Sequence, residues 1–192
     1  MLEQIKNKQQ KYLLPALAVL GISAIGGAFL FSNKYSKEIA DYSKKFIGIR
    51  EKQQNKGWYN SYFENLMKKV GWKQPQQYCL LFIKMVLLNV LKGEKRSIAN
   101  SLFNASSQTT WKNLVAHKNL GLYKLSKKPK IGSIAIYRHM KKTWAGHGDI
   151  VIDFDKTGFT VISANETKGV EKKNRKYSFN SNSFRLLGFV NF

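Results

Sequence analysis

The hydrophobic pattern of the chain changes once, and this change limits the folds available to it. In the first 120 residues apolar side chains recur three or four residues apart, as in Phe63, Met67 and Val70. This spacing predicts amphipathic helices. After about residue 130 apolar residues occur in short β-rich runs separated by turn signals such as "DKTG" at 155–158. Helices followed by closely spaced strands predict an α+β fold class with an antiparallel sheet.

Four segments of the second part are predicted strands: 133–140, 147–154, 159–165 and 184–192. The "DKTG" turn makes the second and third of them a hairpin. Counting back from this turn, with one bulge allowed, places His147 opposite residues 165–167. Asn165 is therefore expected within reach of His147.

Near the start of the chain lies "LLPALAVLGISAIGGAFLF", Leu13–Phe31, nineteen residues without a charge. As a helix it would be about 30 Å long, enough to cross a bilayer. A buried helix of a soluble domain and a cleaved signal peptide are alternatives. A soluble helix would carry polar residues along one side, and the run lacks a small-residue cleavage signal. We therefore predict that residues 1–32 form a basic N-terminus plus a retained transmembrane anchor, and that residues 33–192 form the folded domain.

The charge balance is strongly basic. The chain has 33 Lys and Arg residues against 11 Asp and Glu residues, a formal net charge of +22. Such a surface binds polyanions, which include nucleic acid, anionic lipid headgroups and the anionic polymers of a bacterial envelope. The basic residues are spread along the chain without a nucleic-acid-binding motif. Charge alone does not separate these partners.

Cys79 is the single cysteine, and it lies in the apolar segment "WKQPQQYCLLFIKMVLLNVL". A single cysteine excludes an internal disulfide and a multi-cysteine zinc site. It is either a small apolar packing residue of a helix or a nucleophile. Pro75 suits the first position of a helix, which would place Cys79 about one turn inside a buried helix. The positive end of the helix dipole favours a thiolate there.

A nucleophilic cysteine needs a base, and the chain has three histidines. His117 lies in a lysine-flanked helical stretch, and His139 lies among basic residues at a strand end. His147, in "AGHGDIVID", begins a strand. A set of Cys79, His147 and Asn165, with the amide holding the imidazole in its useful tautomer, would be a cysteine-hydrolase triad. The alternative is that His147 is only an exposed residue of a glycine turn.

Short segments along the chain resemble, in order, motifs of the CHAP family, the cysteine- and histidine-dependent amidohydrolase/peptidases. "IGIRE" at 47–51 resembles the family's G-[VI]-x-E, and "NKG" at 55–57 its asparagine–glycine pair. "YCLLFI" at 78–83 resembles W-C-A-A-F-V. In the strand region "GSIAIY", "GHGDIV" and "SANET" resemble G-D-[IV]-x-[VI]-[FW], G-H-[VI]-G-[IV] and E-G-N-T.

This resemblance implies a papain-like CHAP domain with Cys79 as nucleophile, His147 as base and Asn165 as orienting group. It implies peptide or amide bonds of peptidoglycan as the substrate, and no cofactor or metal. The backbone N–H of Cys79 is the natural oxyanion donor, and a second donor could come from Gln76, Gln77 or Tyr78.

The chain departs from the family motifs at several positions. Tyr78 replaces a tryptophan, and Leu80 and Leu81 replace small alanines, which predicts crowding around the helix. Ser163 stands where many members have an acid two residues before the asparagine. Glu166 could supply that carboxylate, but strand alternation predicts that it points to the opposite face.

The leading hypothesis is a membrane-anchored peptidoglycan hydrolase of a phage virion or a bacterial envelope. Its partners would be peptidoglycan, the lipid membrane that Leu13–Phe31 enters, anionic lipids or other polyanions, and viral structural proteins. One alternative is a catalytically inactive CHAP-like structural protein of a virion or envelope that binds anionic polymers. Another is a basic membrane protein that contacts packaged nucleic acid.

Overall fold

A computed structural model of the chain describes residues 27–142, 145–177 and 183–192. The described helices are α1 (Gly27–Lys44), α2 (Ser61–Lys69), α3 (Cys79–Val90), α4 (Gly93–Leu102) and α5 (Ser107–Ala116), with short 3-10 turns at Gln53–Asn55 and Lys118–Leu120. The described strands are β1 (Lys124–Ser126), β2 (Ile134–His139), β3 (Gly146–Phe154), β4 (Gly158–Glu166), β5 (Gly169–Lys176) and β6 (Phe184–Asn191). They form one sheet in the order β1-β6-β2-β3-β4-β5.

Every neighbouring pair of strands in this sheet is antiparallel. The helices precede the strands along the chain, so the predicted α+β class with an antiparallel sheet is confirmed. The four predicted strands correspond to β2, β3, β4 and β6. The sequence patterns did not predict β1 and β5, which are the two edge strands.

Helix α3 is the centre of the helical layer. Nine of its twelve residues are buried, as its nearly continuous apolar sequence predicts. It packs against β3 and β4 of the sheet and against α1, α2 and α4. One face of the sheet contributes Ile134, Ile150 and Ile162 to this core. A second, smaller apolar cluster, which includes Tyr137, Phe159 and Phe189, lies on the alternate residues of the strands.

Gly148 of β3 allows α3 to approach the sheet closely. A Cβ atom at this position would lie 2.7 Å from Cδ1 of Ile83 and 3.0 Å from Cδ2 of Leu80. Both of those side chains are fully buried in the core and have little room to withdraw. The family motif has valine or isoleucine where this chain has Gly148. The crowding predicted from Leu80 is therefore relieved by a smaller residue on the facing strand.

Two β-bulges shape the strands next to α3. In the β3–β4 hairpin one bulge lies between Val151 and Asp153, and beyond it Asp149 pairs with Ser163. This bulge is the one that the turn count allowed, and the observed β3–β4 pairing ends at Asp149 and Ser163. A second bulge lies between Ser163 and Glu166 of β4, where Asn165 has a φ of 66°.

The second bulge corrects the predicted orientation of Glu166. Its Oε1 lies 3.8 Å from Nε2 of His147, so the side chain points to the histidine's side of the sheet. Alternation between the two faces of a strand fails across a bulge, because the extra residue shifts every later side chain. The prediction that Glu166 points to the opposite face is wrong for this reason.

The predicted membrane span, Leu13–Phe31, lies outside the described residues except for its last residues, which belong to α1. Helix α1 runs through the predicted boundary between residues 32 and 33. In the part of the chain that the structure describes, no helix has the length and apolar character required to cross a bilayer.

Candidate active site

Cys79 is the first residue of α3, with Tyr78 as the N-cap. The first helical hydrogen bond runs from the Phe82 N–H to the Tyr78 carbonyl, at 2.7 Å. Pro75 precedes the helix instead of starting it, because a turn extends to Gln76, whose carbonyl accepts from the indole N–H of Trp72 at 2.8 Å. Cys79 therefore lies closer to the positive end of the helix dipole than the sequence predicts. Its own N–H has no partner within the helix.

His147, the second residue of β3, lies against this helix terminus. Its imidazole lies close enough to the Cys79 side chain for the two groups to interact electrostatically, and this interaction raises the pKa of His147. Its Nε2 lies 2.9 Å from Oδ1 of Asp149 and 2.9 Å from Oγ of Ser163. An ionised carboxylate only accepts hydrogen bonds, so Nε2 carries the proton. The basic nitrogen is therefore Nδ1, which is left for the thiol.

The electrostatics of His147 favour its charged form. Burial of the ring acts against the charge, but the Asp149 carboxylate and the Cys79 thiolate outweigh it. Together they hold the pKa of His147 well above its ordinary value near 6.5. An imidazolium beside a thiolate is the ion pair that activates a nucleophilic cysteine.

Asp149 is a fully buried carboxylate that the sequence patterns did not single out. Nε of Arg175 donates to its Oδ2 at 3.0 Å, while its Oδ1 faces His147. Burial would raise the pKa of Asp149, but the charges and hydrogen bonds of His147 and Arg175 hold it well below the usual range. A signal was present in the sequence: Asp149 replaces the second glycine of the family's G-H-[VI]-G-[IV] motif.

Arg175 connects Asp149 to Glu166. Its Nη2 donates to Oε1 of Glu166 at 2.8 Å and to Oγ of Ser163 at 3.2 Å. The Ser163 hydroxyl donates in turn to the same Glu166 oxygen at 2.6 Å. The imidazole, the Asp149 carboxylate, the guanidinium and the Glu166 carboxylate therefore form a continuous hydrogen-bonded chain of alternating charge beside Cys79.

His147, Asp149 and Glu166 each present a ligand-type atom, and these atoms lie within 4.8 Å of one another. Such a group can hold a metal ion when nothing else compensates its charge. Here the guanidinium of Arg175 hydrogen-bonds both carboxylates and supplies that positive charge. The donor set does not fit a divalent ion while Arg175 is in place.

Asn165 lies at the site, but its side chain has a different partner from the predicted one. Its Oδ1 accepts a hydrogen bond from the backbone N–H of Tyr78, at 3.4 Å. Nε2 of His147, the atom that an orienting amide would contact, is bonded to Asp149 and Ser163 instead. The structure thus brings Cys79 and His147 together as predicted and places Asn165 on the start of α3.

The three candidate oxyanion donors, Gln76, Gln77 and Tyr78, differ in their position relative to the cavity beside His147. A cavity of about 230 Å³ beside the imidazole is lined by Gln77, Asn165, Glu166 and Phe184, among others. The Tyr78 ring is buried against Trp58, 4.7 Å between ring centroids. The N–H of Tyr78 is taken by Asn165. Gln77 is therefore the best placed of the three candidates to join the N–H of Cys79.

Gln76 takes part in the turn before α3 through its carbonyl, as described above. The two other histidines have local structural partners. Nδ1 of His117 lies 2.9 Å from the Asn113 carbonyl in an exposed part of α5. Nδ1 of His139 accepts from the backbone N–H groups of Lys141 and Lys142, both at 3.1 Å.

The arrangement combines a nucleophile, a base, a carboxylate on the base, and hydrogen-bond donors beside a small cavity. These are the parts required for acyl transfer through a thioester. Comparisons with protein-family models, with curated proteins and with solved structures find no match for this chain.

Proposed function

We propose that this protein is a cysteine hydrolase that cuts amide bonds of bacterial peptidoglycan, with residues 33–192 forming a papain-like domain of CHAP type. One observation carries the proposal. The only thiol of the chain lies at the first residue of a buried helix, beside an imidazole whose pKa it helps to raise and whose Nε2 is held by a buried carboxylate.

The geometry supports a two-step reaction. The Cys79 thiol gives its proton to Nδ1 of His147, and the sulfur forms a bond to the amide carbonyl carbon. The C–N bond then breaks, and the leaving amine takes the proton from Nδ1. In the second step Nδ1 removes a proton from water, which attacks the thioester carbonyl. The C–S bond breaks, the carboxylic acid leaves, and the thiol is restored.

Two departures from the family motifs are compensated nearby, which supports an active site over a decayed one. The bulk of Leu80 is matched by the loss of a side chain at Gly148. The acid missing at Ser163 is matched by Asp149 on the neighbouring strand, which pairs with Ser163 in the sheet. Random loss of an unused site would not be expected to match a larger side chain with a smaller neighbour and also a lost acid with a new one.

The substrate class rests on the resemblance and on the charge. A formal charge of +22 would hold the enzyme to the anionic polymers or lipids of an envelope. The uncharged run Leu13–Phe31 would anchor it in the membrane of a virion or a bacterial envelope. Lytic activity at a surface rich in polyanions is consistent with both features.

The test is the loss of turbidity of purified peptidoglycan, with full-length protein kept in mild detergent. Wild type should clear the suspension, and Cys79→Ala and His147→Ala should each remove nearly all activity, because members of a triad act as a unit. The matched controls His117→Ala and His139→Ala should stay within a few-fold of wild type. The masses of the released fragments would then distinguish an amidase from an endopeptidase.

Undiminished hydrolysis by folded Cys79→Ala protein would refute the cysteine mechanism. A folded wild type that leaves walls from several bacteria intact, yet is retained on anionic polymers at low salt, would favour the non-catalytic structural protein. Salt-sensitive retention on DNA, with none on wall polymers, would favour the packaged nucleic acid as partner.

A further inference from the structure

We propose that Asp149 is the positioning residue for His147, that Arg175 holds Asp149 in place, and that Asn165 positions the start of α3. This inference deepens the cysteine-hydrolase function proposed above and rests on it. It assigns the two tasks of the site, aligning the base and aligning the nucleophile, to different residues from those that the family motifs imply.

Asp149 meets the geometric requirements for aligning the base. It lies two residues after His147 on β3, so both side chains project from the same face of the strand. Its Oδ1 is 2.9 Å from Nε2, and the carboxylate is fully buried. A buried acceptor at this distance fixes both the ring orientation and the tautomer of the imidazole.

Arg175 meets the requirements for holding Asp149. It reaches from edge strand β5 across β4, and two different nitrogens of its guanidinium contact Asp149 and Glu166. A planar guanidinium that bonds two carboxylates has little freedom to move. The bulge at Asn165 is part of the same device, because it turns Glu166 toward the guanidinium.

Asn165 is placed to align the nucleophile. Its backbone is in the left-handed region, which asparagine tolerates better than most residues. Its Oδ1 then accepts from the N–H of Tyr78, the residue directly before Cys79. This bond ties β4 to the start of α3 and so sets the position of the thiol relative to the imidazole.

The charges around His147 allow tests with opposite signs. The groups that face it are Cys79 from α3, Tyr137 from β2, Asp149 on its own strand, Glu166 from β4 and Arg175 from β5. Without the charge of Asp149, burial of the imidazole lowers the pKa of His147 with less opposition. Removing the charge of Arg175 leaves Asp149 and Glu166 less neutralised, which strengthens their pull on the proton.

The first measurement uses full-length wild type in mild detergent and needs no substrate. The ¹⁵N resonances of the imidazoles are followed through a pH titration, with signals assigned from His117→Ala and His139→Ala. The expected result is that Nε2 of His147 stays protonated while Nδ1 titrates. A neutral form with the proton on Nδ1 would overturn the proposal, and this outcome does not depend on any variant folding.

The second measurement compares two variants by the same titration and by the pH dependence of thiol alkylation. Asp149→Asn should lower the pKa of His147, and Arg175→Gln should raise it. Asp149→Asn should also reduce turnover by roughly 100-fold or more, as expected for loss of the carboxylate behind a catalytic imidazole. Shifts of the same sign in both variants, or none, would contradict the assigned roles.

A rescue separates positioning from mere structural support. The Asp149→Gly variant should lose most of its activity. The pKa of His147 should fall back in the same variant. Asp149→Gly combined with Ser163→Glu restores the family's arrangement, because Oγ of Ser163 already lies 2.9 Å from Nε2. Recovery of at least about tenfold in alkylation rate is expected for the double variant. If the folded double variant is no more reactive than Asp149→Gly, the idea that Asp149 takes the place of the family's acid at position 163 is wrong.

Asn165 is tested by one substitution, with Asp149→Asn as the comparison. Asn165→Gly keeps the left-handed backbone and removes the side-chain bond to Tyr78. It should slow alkylation of Cys79 severalfold while leaving the tautomer and pKa of His147 unchanged. A shift of the imidazole titration in Asn165→Gly as large as in Asp149→Asn would return the orienting role to Asn165. Because these readouts need no wall substrate, they can succeed even if peptidoglycan proves to be the wrong substrate.

Discussion

Replacing Gly148 by valine should slow the reactions of Cys79, although the substitution replaces neither Cys79 nor His147. The substitution restores the residue type that the family motif has at this position. In this chain, however, the first added atom would lie 2.7 Å from Cδ1 of Ile83 and 3.0 Å from Cδ2 of Leu80. Both side chains are buried in the core, so their ends have little free space, and we expect the start of α3 to shift away from β3 with them.

The magnitude follows from these distances. The nearest contact is about 1 Å shorter than the optimal separation of two carbon atoms, about 3.5–4.0 Å. Overpacking of this kind costs about 1–3 kcal/mol in the free energy of unfolding. For a chain of this length that lowers the melting temperature by roughly 2–12 °C. A retreat of about 1 Å at Cys79 should slow alkylation and hydrolysis roughly 100-fold.

A double-mutant cycle tests whether Leu80 is the compensating residue. Leu80→Ala alone should cost about 2–5 kcal/mol through the cavity that it leaves. With Gly148→Val the added side chain fills that cavity, so the two losses should overlap by about 0.5–3 kcal/mol. Leu87→Ala is the matched control, because it makes the same change about 10 Å further along α3. Losses that simply add for Gly148→Val with Leu80→Ala would refute the compensation.

Four further predictions concern pH dependence, folding and polyanion binding. Since the pKa of His147 is raised, amide hydrolysis, which needs the imidazolium to protonate the leaving amine, should persist above pH 6.5 and decline as pH rises through the raised pKa, which a pH–rate profile checks. The stabilisation from His147 is complete below about pH 6.5 and is lost as pH rises, and that from Asp149 is complete above about pH 4 and is lost as pH falls. Thermal unfolding should therefore show greatest stability between these values. A chain that begins at residue 33 should fold alone, with circular dichroism typical of an α+β protein, and a mostly unstructured spectrum would contradict the domain boundary. Retention of the full-length protein on anionic polymer beads should weaken steeply as salt rises, and salt-independent retention would contradict a role for the net charge.

The part of the fold that depends on periodicity could be predicted from the sequence. Apolar spacing predicted the helices, the burial of α3 and the four strands with alternating apolar residues. The turn count also put His147 near residues 165–167 with one bulge in the hairpin, because the register of a short hairpin depends on local geometry. The pairing of Cys79 with His147 followed from having few candidates.

The missed features depend on contacts distant in sequence. Strand β5, "GVEKKNRK", has few apolar residues because half of its side chains face solvent and Arg175 faces the carboxylates of Asp149 and Glu166. The segment is a strand because it pairs with β4, and its local sequence propensity alone does not predict one. Asp149 was missed because a carboxylate beside a histidine is informative only when both are known to be buried on one face. Glu166 was assigned to the wrong face because alternation gives no warning of a bulge.

The cost of the buried charges bears on whether the site is catalytic. Taking Asp149 and the guanidinium of Arg175 out of water costs several kcal/mol for each ion before their attraction is counted. Well-packed apolar residues of similar volume are often as stabilising as such an ion pair, or more so. A protein that needed only this fold could therefore fill the space without charge. The charges instead converge on the far nitrogen of one imidazole, whose near nitrogen is left for the only thiol in the chain. This convergence supports the proposed hydrolase over a structural protein that retains the fold.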